Sequence, residues 1–328
     1  MSTIRALPAL VRAQFKTAQE AGDLTFYSTQ VSILSCNGLP FQIRFSPALA
    51  SKPKSNKPRN SKPVDPFENP QKGLFLADLS STHYLVLNKF PVIPDHFILA
   101  TKRFQEQTDL LEEEDLGAAY ECLKAYRAQG EELFGFFNSG EHSGASQPHR
   151  HIQFLPVQSM RNGIDEGTSW TVLADTLTGN QDTADLPFTY FVSEIPDANV
   201  ATPSQLHRIY TTLYERALRA SQKFAGRPGT SFSLLETTRK GESPISYNIG
   251  LTDRKMVLCP RVSEGSKIKS TEGEAIGPIA LNGTVLGGTL LVKSNEEWQA
   301  LRNDESKLKE VLEAIGIPSQ NIGLDERL

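Results

Sequence analysis

The sequence predicts an α+β fold with a mainly antiparallel sheet and flanking helices. Three observations carry this. Strand-like apolar runs come in pairs, long segments between them place apolar residues at helical spacing, and strand–helix–strand alternation is missing.

The elements follow in order. Over residues 4–21, Leu7, Leu10, Val11, Phe15 and Ala18 share a helical face, and Gly22 ends the run. Strand-like stretches at 24–34 and 39–45 are separated by the turn dipeptide Asn37-Gly38. Residues 51–70 are rich in Lys, Pro, Ser and Asn and almost devoid of apolar side chains, so a loop outside the core is expected. Apolar runs at 74–77, 84–87 and 97–100 read as strands. A helix is expected over 111–128, with Leu116, Tyr120, Leu123 and Arg127 on one face and Gly130 beyond it. Strands at 133–138 and 151–157 flank a polar loop. After a polar stretch near 176–185, Thr202-Pro203 supplies a cap and a first helical residue, and Leu206, Tyr210, Leu213 and Ala217 line the helix that follows. Strands are expected at 231–237, 245–251 and 255–259. A last helix near 305–315 presents Leu308, Val311, Leu312 and Ile315 before Gly316. The organisation predicted is an N-terminal half, 1–185, and a C-terminal half, 186–328.

Composition narrows the function. A formal net charge of -4 argues against a dedicated nucleic-acid binder. No apolar run reaches the length of a membrane span, so no membrane partner is expected. The N-terminal segment is interrupted by charged and polar residues and is not a signal peptide. Cys36, Cys122 and Cys259 lie far apart and suit a reduced, cytoplasmic protein.

The chemistry concentrates between Asn138 and Gln153. His149, His151 and Gln153 alternate, which on a strand turns them to one side at a spacing of about 6.5–7 Å. That spacing brackets a phosphate group. The preceding loop holds Gly140, Gly144 and small polar residues, a composition that turns several backbone N–H groups toward one anion. A neutral imidazole beside such a loop is a competent nucleophile toward phosphorus. Taken bare, HxHxQ reads first as a solvent-facing polar strand. Metal binding is the weaker alternative, because no cluster of further ligands accompanies it.

His149-Arg150-His151-Ile152-Gln153 resembles the signature of the histidine-triad superfamily in its transferase branch, which carries Gln where the hydrolases have a third His. Three further segments extend the resemblance to the fungal-type diadenosine tetraphosphate phosphorylases. They are Asn88-Lys89-Phe90-Pro91-Val92, Ser246-Tyr247-Asn248-Ile249, and the stretch from Asn282-Gly283-Thr284 through Thr289 to Lys293. The resemblance implies a histidine-triad-like fold in two fused halves. It implies that His151 attacks the α-phosphorus and becomes adenylylated, that Gln153 hydrogen-bonds phosphoryl oxygens, and that His149 supports the geometry. A neutral amide at Gln153 offers water no general base, which fits transfer better than hydrolysis.

By the same resemblance, Asn138, Gly144, Ala145, Ser146 and Gln147 surround the polyphosphate, Asn88 and Lys89 contact ribose or phosphate, and Asn282, Gly283, Thr284, Thr289 and Lys293 meet substrate. The basic loop is read from its own charge run: Lys52 or Lys54 would reach the extra phosphates of a long dinucleotide. The expected partners are a dinucleoside polyphosphate, ATP, ADP and phosphate, with the chain a monomer. No dedicated metal site and no tightly bound cofactor are expected; a divalent cation, Mg or Mn, would come with the nucleotide. Two other readings stand beside this one: a hexose-1-phosphate uridylyltransferase, and a nucleotide-binding sensor without catalysis. His96, His83, His142 and His207 are left outside the site.

Overall fold

Hydrophobic alternation along the central strands divides the interior into two cores, one on each face of a large sheet. The computed structural model describes residues 2–50, 65–179, 186–196, 201–226, 241–269 and 273–319. The first half supplies β1 (Gln30–Cys36), β2 (Leu39–Phe45), β3 (Phe75–Asp78), β4 (His83–Leu87), β5 (Phe97–Thr101), β6 (Leu133–Ser139) and β7 (His151–Pro156). The second supplies β8 (Phe191–Glu194), β9 (Ser246–Leu251), β10 (Lys255–Arg261), β11 (Gly265–Lys269), β12 (Ala275–Ala280) and β13 (Thr289–Val292). Eight of these form one sheet in the order β3-β4-β5-β7-β6-β9-β10-β8. Every neighbouring pair in it is antiparallel.

Along β6, Leu133 and Phe137 enter one core while Phe134 and Phe136 enter the other. The helices Leu7–Glu20, Glu113–Arg127 and Pro203–Phe224 cover the first face. The longest starts as its sequence requires: Thr202 Oγ1 accepts from Gln205 N–H, and Gln205 Oε1 accepts from Thr202 N–H. The second face carries a three-stranded sheet, β1-β2-β13, with the helices Asn295–Asn303 and Ser306–Ile315. Leu308, Val311, Leu312 and Ile315 are all buried there, at the helical spacing read from sequence.

The fold class is as predicted, and the departures are local. The strand expected from residue 24 begins at Gln30, because Thr25 and Tyr27 donate instead to the carbonyls of Lys89 and Pro91. Strands β8, β11 and β12 and the helix Asn295–Asn303 were not anticipated, although Ser294 and Glu297 form a capping box that marks the last. The strand expected at 231–237 lies outside the described residues. The two halves share their sheets: β9 pairs with β6 from Gly135↔Leu251 to Ser139↔Tyr247, and β13 runs parallel to β2. No described helix is long and apolar enough to cross a membrane.

Candidate active site

Strand β7 lies in the middle of the large sheet, so what projects from it is held by neighbours on both sides. His151 opposes Ala100 of β5, and two residues on, Gln153 opposes Ile98. His151 is 3% exposed. Its Nδ1–H donates to the His149 carbonyl at 2.8 Å. That bond fixes the tautomer and leaves the Nε2 lone pair available, and no described residue hydrogen-bonds Nε2. Burial pushes the pKa of His151 down to about 4, so the ring is neutral at physiological pH. The Phe67 ring packs against it with centroids 5.1 Å apart, which helps exclude water.

His149 precedes β7 and is clamped rather than free. Its Nε2–H donates to the Thr101 carbonyl at 2.9 Å, and its Nδ1 lies 2.6 Å from Asp65 Oδ2. Its backbone carbonyl is what orients His151, so the support expected from His149 runs through the main chain.

Gln153 ends a hydrogen-bond relay. Asn88 Nδ2–H donates to His96 Nδ1 at 3.0 Å, and His96 Nε2–H donates to Gln153 Oε1 at 3.1 Å. Burial also lowers the pKa of His96 to about 4, keeping it neutral and the relay directional. With Oε1 occupied, Gln153 turns its NH2 group toward any phosphoryl oxygen beside it. His96, left out on sequence grounds, is therefore a positioning residue of the site. Asn88 N–H donates to the His96 carbonyl at 2.9 Å, so the hairpin spacing between the two was the available signal.

The loop after β6 is locked from the second half of the chain. Asn138 Oδ1 accepts from Gly283 N–H at 2.7 Å and from Asn248 Nδ2–H at 2.9 Å. Asn248 Nδ2–H also donates to the Ser143 carbonyl at 2.9 Å, and its Oδ1 accepts from buried Arg261. A side chain at Gly283 would meet Asn138 Oδ1 at 2.8 Å. Gly144 has φ +76°, and a Cβ there would lie 2.8 Å from both the Leu281 carbonyl oxygen and Asn282 Cβ.

A cavity of about 450 Å³ opens beside Gln153. Asn88, Gly144, Ala145, Ser146, Gln153, Asn282, Thr284, Thr289 and Lys293 line it, all expected from sequence. The buried Thr289 hydroxyl has no hydrogen-bond partner among the described residues. Four expected contacts sit differently. Asn138 spends its Oδ1 on the inter-half clamp, and Gly283 supplies one N–H to it. Lys89 Nζ donates to Gln71 at 3.2 Å. Gln147 is half-buried outside the lining. Lys52 and Lys54 lie outside the described residues.

A neutral, single-tautomer histidine, an oriented amide and a glycine-bearing loop form an arrangement chemically suited to nucleotidyl transfer. Residues 2–166 match the Ap4A phosphorylase N-terminal domain and residues 184–318 the ATP adenylyltransferase C-terminal domain. The chain belongs to the Ap4A phosphorylase family. It is 32% identical over 300 residues to diadenosine 5',5'''-P1,P4-tetraphosphate phosphorylase 2 of Saccharomyces cerevisiae, covering 85% of this chain and 84% of the relative. It is 27% identical to Protein APA1 of the same yeast, covering 97% of each. The crystal structure of yeast Ap4A phosphorylase Apa2 superposes with a TM-score of 0.73 at 25% identity, covering 94% of each chain. The same enzyme in complex with Ap4A matches with a TM-score of 0.70 at 25% identity, covering 95% of this chain and 97% of that one.

Proposed function

We propose that this protein cleaves diadenosine tetraphosphate with phosphate, releasing ATP and ADP, through an adenylyl group carried on His151 Nε2. The observation that carries the reading is the state of His151: neutral, with Nδ1–H bound to the His149 carbonyl and Nε2 unbonded. The Nε2 lone pair forms a bond to the α-phosphorus, the bond from that phosphorus to the bridging oxygen breaks, and ATP leaves. The imidazole becomes cationic, and the His149 carbonyl stabilises the Nδ1–H that carries part of the charge. A phosphate oxygen then attacks the same phosphorus, the P–N bond breaks toward His151, and ADP leaves.

Gln153 donates its amide hydrogens to the non-bridging oxygens at both steps. Phosphate brings its own anionic oxygen, whereas water needs a base that an amide does not provide. Lys52 or Lys54 engages the distal phosphates. Any Mg or Mn ion enters as part of the nucleotide substrate. The protein acts as a monomer in the reducing cytoplasm, where its three buried cysteines stay free.

Product analysis tests this directly. Diadenosine tetraphosphate should yield ATP plus ADP with phosphate present and little AMP. Breakdown undiminished without phosphate would refute transfer, and faster turnover of a UDP-hexose with a hexose 1-phosphate would favour the uridylyltransferase instead.

A further inference from the structure

The pairing of the two central strands stops short of the nucleophile. Strand β6 opposes β7 from Leu133↔Pro156 to Phe136↔Gln153, and there the ladder ends. In the same register Asn138 would oppose His151. The Gln107 side chain lies between them instead. His151 N–H donates to Gln107 Oε1 at 2.7 Å. Gln107 Nε2–H donates to the Asn138 carbonyl at 2.7 Å and to the His151 carbonyl at 3.2 Å. An amide has been inserted into the position of a direct ladder bond, its oxygen serving one strand and its nitrogen both. Gln107 is 2% exposed, so a missing bond there would not be replaced by water.

The backbone around Gln107 completes the arrangement. Gln107 N–H donates to the Pro148 carbonyl at 2.7 Å, and Arg150 N–H donates to the Gln105 carbonyl at 2.8 Å. Segment 105–107 thus runs antiparallel beside residues 148–150, with Glu106 opposite His149. That is the stretch whose His149 carbonyl fixes the tautomer of His151. The backbones of Asn138 and His151 are thus bridged by the Gln107 amide rather than bonded to each other.

We infer that Gln107 is a positioning residue for the transfer reaction: its side-chain amide bridges the Asn138 and His151 backbones where the β6–β7 ladder stops, setting where the loop after β6 lies relative to His151 and the orientation of the His149 carbonyl toward His151. This inference rests on the phosphorolytic reading above. Gln107 touches no substrate, and its removal acts through His151.

The test compares the full-length protein with Gln107→Ala and Gln107→Glu. A protonated carboxyl group replaces the amide as donor and acceptor, whereas an ionised one turns no hydrogen toward the Asn138 and His151 carbonyls. Burial among carbonyls raises the pKa of the introduced acid. Phosphorolysis is measured from about pH 5.5 to 8.5, and the tautomer of His151 is read from the ¹⁵N signals of histidine-labelled protein. Wild-type turnover tests the phosphorylase reading alone; the ratio of variant to wild type tests Gln107.

In Gln107→Ala, kcat should fall at least about 30-fold with KM within about threefold, and the single Nδ1–H signature of His151 should be lost. Gln107→Glu should recover toward wild type as pH falls and lose activity as pH rises. Near-wild-type kcat in Gln107→Ala, a loss confined to KM, or a flat wild-type-like profile in Gln107→Glu would overturn the inference. An unchanged His151 signature in a folded Gln107→Ala protein would do the same. Should Gln107→Ala fail to fold, the pH profile of Gln107→Glu decides alone.

Discussion

At the scale of single residues, the site depends on two histidines that burial keeps neutral. For His151, the proposed nucleophile, this leaves a lone pair available without prior deprotonation. Single-turnover adenylylation should therefore show no histidine titration across about pH 5.5 to 7.5. A midpoint near the ordinary histidine value, with activity lost below it, would contradict the neutral state. For His96, neutrality preserves the direction of the relay into Gln153. His96→Ala leaves the Gln153 amide free to rotate, and kcat should fall about tenfold or more while the fold persists. Unchanged kcat would show that the relay does not orient Gln153.

The alternation of His151 and Gln153 made their shared strand, and so the place of the candidate site, legible in the sequence. Gln107 was not legible, because it acts through hydrogen bonds to residues remote in sequence, and for His96 the spacing to Asn88 in the hairpin was the one local signal. Asp65, which meets His149, was hidden for the same reason as Gln107.

At the scale of elements, the loop between β6 and β7 is shaped by what the second half presses against it. Gly144→Ala adds a Cβ to a residue at φ +76° and sets it against Leu281 and Asn282 at 2.8 Å. The anion loop should shift, raising KM for the dinucleotide about tenfold or more, with a smaller effect on kcat. Steady-state kinetics alongside circular dichroism checks this, and an unchanged KM would count against the loop's role. The longer helices were read closely because 3.6-residue periodicity is a local signal, whereas the nine-residue Asn295–Asn303 was missed despite its capping box. The edge strand β8 and the hairpin β11-β12 are short and partly exposed, so they lack the apolar runs that announced β4 and β5.

At the scale of the molecule, the chain's two family-matched segments are joined through β6–β9 and β2–β13 pairing and through the Asn138–Asn248–Arg261 clamp. Residues 1–185 expressed alone should not fold stably, and co-expression with 186–328 should restore structure. A cooperative thermal transition in the isolated first half would contradict this. Acid should weaken the whole protein. His96 and His151 have folded pKa values near 4, below the ordinary histidine value, so the unfolded chain takes up protons that the native state refuses. Their contribution is fully present above about pH 6.5 and is lost progressively as pH falls toward about 4. Denaturant midpoints across that window should decline, and less so in a His96→Phe variant.

The central claim is that His151 carries the adenylyl group, and trapping that group tests it most directly. The protein is incubated with α-labelled diadenosine tetraphosphate in phosphate-free buffer, digested, and mapped by mass spectrometry. The label should sit on the peptide containing His151, be released by acid but not by mild base as a phosphoramidate, and pass into ADP when phosphate is added. His151→Ala should show neither label nor turnover. An adenylyl group mapped to any other residue, or full activity in His151→Ala, would contradict the mechanism.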